Sequence, residues 1–76
     1  MNKERRKEIE RAVALLQEAM EIVQMVGADE REAYENLSES LQGGERGEAM
    51  DAAATAAEEA ESFIDEAISQ LEQAAA

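Results

Sequence analysis

Residues 34–48 read YENLSESLQGGERGE, and this stretch decides how the rest of the chain is arranged. It holds three of the four glycines and lies between two long segments that lack proline and are rich in Ala, Glu, Leu and Gln. The pair Gly43-Gly44 is a strong break in a helical sequence, and the nearby Asn and Ser residues favour turns. We therefore predict that the chain reverses its direction near residue 43.

Both flanking segments have the periodicity of long packed helices. Apolar positions recur at alternating spacings of four and three residues in the first segment, at Ile9, Val13, Leu16, Met20, Val23 and Gly27. The second segment repeats the pattern at Met50, Ala53, Ala57, Ala60, Ile64, Ala67, Leu71 and Ala74. A sustained repeat of this kind marks the contact seam of a helix. It predicts helices over about 3–35 and 45–74, the first of them continuous through Gly27.

Two helices of similar length joined by a short connector fold back on each other as an antiparallel hairpin. We therefore predict one all-α domain over residues 1–76. The basic first turns should then lie beside Asp65, Glu66 and Glu72 of the second helix. Exposed ion pairs of this kind contribute only about 0–1 kcal/mol each, but they favour this register over others.

A second apolar stripe on the first helix predicts self-association. Leu15, Ile22 and Val26 lie beside the seam, and the second helix is too rich in alanine to cover both stripes. A 76-residue chain without cysteine also needs stability from packing or oligomerisation, because it has no disulfide. We predict a homodimer in which the stripe helps to form a four-helix bundle.

The net charge of −12 restricts the partners. Residues 1–11 hold five basic and three acidic residues, whereas residues 12–76 hold two basic and sixteen acidic ones. Such a surface repels nucleic-acid phosphates and anionic lipids, so we expect no direct binding to either, and a basic protein partner is favoured. The opening MNKERRKEIE lacks the apolar core of a signal peptide, and we expect a cytoplasmic location.

The absence of both His and Cys removes the commonest catalytic and metal-binding side chains. Acidic residues are plentiful, but most lie off the helix seams, and a two-helix hairpin offers no cleft in which to desolvate them. We therefore expect a protein that is not an enzyme and that has no metal or cofactor.

Two groups of residues are candidate binding sites. The first is an acidic ladder with seven-residue spacing, made of Asp51, Glu58, Asp65 and Glu72. It is interpreted as a solvated helix face, a surface for a basic partner, or a nucleic-acid mimic. The second group surrounds the connector and is made of Tyr34, Asn36, Gln42 and Arg46. There Leu37 and Leu41 are expected to close the end of the core, and the paired glycines to supply backbone freedom.

The connector has the spacing Y-x-N-L-x-E-x-L-Q-x-x-E-x-G-E and precedes a helix rich in Ala and Glu. This pattern resembles a group of short acidic proteins from phages, prophages and bacteria, over about residues 30–72. In those proteins proline often stands at the position of Ser38 and serine at that of Gly44. The resemblance implies a mobile-element context and no catalytic activity.

The functional hypothesis is a small binding protein that engages a host or phage protein, with counter-defence as one such role. A second hypothesis is an oligomer that binds a nucleotide-like signal through the connector, with Tyr34 and Arg46 near helix ends. A structural accessory protein is a third hypothesis, and a nucleic-acid mimic that uses the acidic ladder is a fourth.

Overall fold

The computed structural model describes all 76 residues as three helices with no strand. Helix α1 spans Lys3–Glu35, α2 spans Glu39–Gln42 and α3 spans Glu45–Ala75. Helices α1 and α3 pack against each other as a hairpin 58 Å long and 15 × 13 Å in cross-section. The predicted all-α helical hairpin is therefore confirmed, and the bounds of both long helices agree within one residue.

Helix α1 begins at a side-chain cap and continues without a break. The Asn2 side chain accepts a hydrogen bond of 2.8 Å from the Arg5 backbone N–H, which satisfies one of the free donors of the first turn. As predicted, the helix runs through Gly27, which is buried. A Cβ placed on Gly27 would lie 3.1 Å from the Cβ of Ala57. Glycine therefore lets the two helices approach closely at this point.

The connector contains a short helix, α2, that the sequence did not predict, because four residues are too few to show a period. The predicted freedom of Gly43 and Gly44 is not used, since both have negative φ angles, −78° and −83°, that any residue can adopt. The turn instead requires Gly47. A Cβ on Gly47 would lie 2.5 Å from the carbonyl oxygen of Leu41 and closer still to that of Gln42.

The prediction that Leu41 helps to close the core is wrong, because its side chain is 58% exposed. Helix α2 turns Gln42 toward the end of α1, so Leu41, about 100° earlier on the helix, faces the solvent. Leu37 is half-buried.

Only Gly27, Gly47 and Ala54 are fully buried, and no large side chain is among them. The predicted seam of the second helix is shifted by one residue at two places, since Ala53 and Ala74 are exposed, Ala54 is buried and Ala75 is half-buried. A straight α-helix has 3.6 residues per turn and drifts relative to a strict 3.5-residue repeat, which accounts for the shift.

The hairpin exposes more surface than a globular protein of its mass. Its accessible surface is 5653 Å² for 8.3 kDa, whereas a compact monomer of that mass exposes about 4,600 Å². The excess is about 1,000 Å². Helices α1 and α3 therefore form a single seam with little enclosed core.

The variant Gly47→Ala is expected to destabilise the fold by about 1–3 kcal/mol, the usual cost of forcing an atom into a filled site. The loss should occur although alanine favours helix over glycine. Gly43→Ala is the matched control, because its Cβ would lie 3.9 Å from the nearest atom, the Ser40 carbonyl oxygen. Urea unfolding followed by circular dichroism compares the two variants. Equal stability of Gly47→Ala and the wild type would contradict this packing.

Candidate functional surfaces

Arg31 joins the two long helices. Its Nη1 donates a hydrogen bond of 2.7 Å to Asp51 Oδ1, and its Nε and Nη2 donate bonds of 3.2 and 3.1 Å to Glu58 Oε1. The Arg31 side chain is 29% exposed, while those of Asp51 and Glu58 are 50% and 53% exposed. One side chain of α1 thus connects two carboxylates that lie two turns apart on α3.

Arginine suits this position because its planar guanidinium presents five donors in a fixed arrangement. The hydrogen bond to Asp51, and then the one to Glu58, raises the pKa of Arg31 above its ordinary value. The Tyr34 ring lies one turn further along α1, with its centroid 5.8 Å from Arg31 Cζ, within range of a cation–π contact.

Arg31 was not among the residues predicted from the sequence, where Arg46 was the candidate cation. A signal was available, because Arg31 follows the seam residue Gly27 by four residues and so lies near the seam. It faces a helix that holds no cation after Arg46. A lone cation near the seam opposite acidic residues is a candidate for an interhelical ion pair.

The acidic ladder is divided by Arg31. Asp51 and Glu58 are held in ion pairs within the hairpin. Asp65 and Glu72 are exposed, and no cation lies within ion-pair distance of either. The two carboxylates of the ladder that make no ion pair therefore lie in the C-terminal half of α3.

The predicted ion pairs between the basic N-terminus and the acidic end of α3 do not form. The basic segment, residues 1–11, makes one ion pair, which joins Arg11 and Glu8 within α1 at 3.9 Å. Exposed pairs between long side chains gain little energy in water, so nothing holds these side chains against α3. The cations of the basic segment are left without a partner on α3.

The structure brings two of the four connector candidates, Gln42 and Tyr34, into direct contact. Gln42 Nε2 donates a hydrogen bond of 3.1 Å to the Tyr34 carbonyl oxygen at the end of α1, which also accepts one of 3.1 Å from the Leu37 backbone N–H. Asn36 is exposed and caps the C-terminus of α1. Arg46 is exposed beside a cavity of about 180 Å³. Ligand pockets usually measure about 300–1,000 Å³, so this cavity is small for a nucleotide.

A second surface lies on the opposite side of the hairpin from Arg31. With about 100° of rotation per residue, Leu15, Ile22 and Val26 lie on the other side of Gly27 from Arg31. By the same geometry, Phe63 of α3 lies on the other side of Ala57 from Asp51 and Glu58. Because Arg31 contacts Asp51 and Glu58, these three residues lie on one side of the hairpin. The side of α3 that carries Phe63 and the side of α1 that carries the stripe therefore lie together on the other. We call this surface, defined by Leu15, Ile22, Val26 and Phe63, the apolar face.

The apolar face is exposed and carries no charge along most of its length. Its four large side chains are 57%, 58%, 48% and 68% exposed, in the order Leu15, Ile22, Val26 and Phe63. Viewed down the axis of α3, the sector of its surface between the directions of Ala57 and Phe63 contains only Ala, Ile, Leu and Phe side chains over residues 49–74. The matching sector of α1, between the directions of Gly27 and Ile22, contains only Ala, Leu, Ile and Val side chains over residues 12–26. The stripe on α1 was predicted from the sequence, whereas Phe63 was not.

No protein-family model matches this chain, and neither a curated protein nor a solved structure shows significant similarity to it. The resemblance of the connector to short phage-type proteins therefore stays a prediction. Neither long helix contains a stretch apolar enough to cross a membrane.

The variant Arg31→Met is expected to lower the melting temperature, because it removes the ion pairs that join α1 to Asp51 and Glu58. The difference from the wild type should shrink at about 1 M salt, where the screening length falls to about 3 Å. Arg46→Met is the matched control, since Arg46 is exposed and makes no ion pair. Thermal melts at low and high salt test this. A loss at Arg46 as large as that at Arg31 would refute the assignment.

Proposed function

We propose that this protein is a small non-enzymatic binding protein that acts as a homodimer through protein–protein contacts. The observation that carries the proposal is the apolar face, which is exposed and carries no charged side chain along most of its length, on an otherwise acidic chain. Monomeric proteins rarely leave a large contiguous apolar surface in water, and such surfaces mark interaction sites. The apolar face therefore supports an interaction role more strongly than a purely structural one.

The excess of exposed surface is large enough for an interface with a second copy of the chain. A standard protein interface buries about 800 Å² on each partner, which is comparable with the excess of about 1,000 Å² over a compact monomer. Full burial of a large apolar side chain contributes about 1.5–3 kcal/mol. Pairing two hairpins through the apolar face would enclose four such side chains from each copy. The result is a four-helix bundle with the core that one hairpin lacks.

The non-enzymatic part of the proposal is supported by the exposure of the ionisable groups. No charged or polar side chain is buried. Burial is one of the main ways in which proteins shift the pKa of a catalytic group. The carboxylates of this chain stand on open helix surfaces and lack such buried surroundings.

The free carboxylates supply a second contact surface. Asp65 and Glu72 lie on the side of α3 away from the apolar face, so dimerisation leaves them in solvent on both copies. An acidic surface of this kind attracts and orients a basic protein. We propose such a protein as the partner, in the cytoplasm of the cell that makes this chain. A host or phage factor, as in counter-defence, suits the resemblance of the connector.

The variant Ile22→Glu is expected to convert the dimer to a monomer, because it places a charge in the centre of the apolar face. Gln17→Glu is the matched control, since it adds the same charge at an exposed position of α1 outside that face. Size-exclusion chromatography with light scattering measures the mass of each. A wild-type protein that is monomeric at micromolar concentration would overturn the homodimer.

The double variant Asp65→Lys with Glu72→Lys is expected to lose the basic partner by at least tenfold in affinity while keeping its helix content. Glu10→Lys with Glu18→Lys is the control, because it changes the net charge equally at exposed positions of α1. Capture from host lysate with each form, followed by titration of the recovered protein, compares them. Equal loss in both variants would show that only net charge matters and would exclude a defined acidic site.

A further inference from the structure

We propose that the two copies pair antiparallel, about a two-fold axis that passes beside Phe63 and Ile22. The basic segment, residues 1–11, of each copy then lies against the acidic connector end of the other. This inference rests on the homodimer proposed above and specifies its geometry.

The apolar face is nearly symmetric along the length of the hairpin. Gly27 stands opposite Ala57, so residues at the same level on the two helices have numbers that add to 84. Phe63 is therefore level with residue 21 of α1. Leu15 lies below that level, Val26 lies above it and Ile22 lies beside it. An isologous interface must map onto itself about its axis, and this arrangement does so with Phe63 at the centre.

The symmetry point selects one of two ways to stack the hairpins. In the first, the two-fold axis lies between the two apolar faces, perpendicular to the helices, at the level of residue 21. It places α1 antiparallel over α1 of the second copy. Leu15 then faces Val26 of the second copy, and the two Phe63 rings meet at the axis as an aromatic pair. An axis parallel to the helices instead lays α1 over α3 and places the two Phe63 side chains on a diagonal, out of contact.

The charge distribution favours the same choice. Residues 1–11 hold five basic and three acidic residues, a net +2, and residues 29–48 hold two basic and seven acidic residues, a net −5. The cations of the basic segment have no partner on α3 within the hairpin. Antiparallel pairing sets +2 beside −5 at both ends of the bundle. Parallel pairing sets −5 beside −5 at one end, and juxtaposed like charges oppose association.

A distance between the two connectors tests the geometry. The chain contains no cysteine, so Ser40→Cys provides a single exposed site for a nitroxide spin label. Ser40 is about 19 residues from the axis along the hairpin, and a rise of 1.5 Å per residue puts the two labels about 55 Å apart. Parallel pairing puts them about 20 Å apart, two helix spacings of 8–10 Å. Pulsed dipolar spectroscopy resolves both distances.

A distance of about 55 Å supports the antiparallel dimer. A single distance below about 40 Å, in a sample that light scattering shows to be dimeric, overturns the antiparallel geometry and leaves the homodimer standing. A monomeric mass with no dipolar coupling overturns both. Circular dichroism of the labelled protein, compared with the wild type, verifies that the helices are intact in each case.

Discussion

The structure is governed by a mismatch between one seam and two apolar stripes. Two helices share a single line of contact, yet α1 presents large apolar side chains over roughly half of its circumference. Helix α3 is mostly alanine on its inner side, and alanine permits close approach while burying little area. The contact of Gly27 with Ala57 shows how closely the helices approach where both side chains at the seam are small. We propose that a second copy of the chain covers the apolar surface that this seam leaves exposed.

Arg31 gives the hairpin two distinct sides. Its hydrogen bonds to Asp51 and Glu58 bind the charged flanks of α1 and α3 on one side. The uncharged flanks are thereby brought together on the other. On the side that carries Arg31, the ion pairs neutralise part of the negative charge of Asp51 and Glu58. Asp65 and Glu72, which make no ion pair, lie toward the end of α3. In the function we propose, assembly and partner binding use separate surfaces of one small fold.

Periodicity was sufficient to predict the two long helices, the continuity of α1 through Gly27 and the exposed stripe of Leu15, Ile22 and Val26. These features depend on local pattern, and local pattern is visible in one sequence. The role of Arg31, the need for Gly47 and the exposure of Leu41 depend on which atoms meet across the hairpin. No single-helix pattern contains that information. Phe63 was missed for the same reason, because it joins the stripe only once the rotation of α3 against α1 is known.

The central claim is that one hairpin is incomplete and gains its stability from a second copy. The most direct measurement is the melting temperature as a function of protein concentration, over a range from micromolar to several hundred micromolar. Association coupled to folding makes the melting temperature rise with concentration, which is the result this account predicts. A melting temperature that is constant over that range, with a monomeric mass throughout, would contradict it.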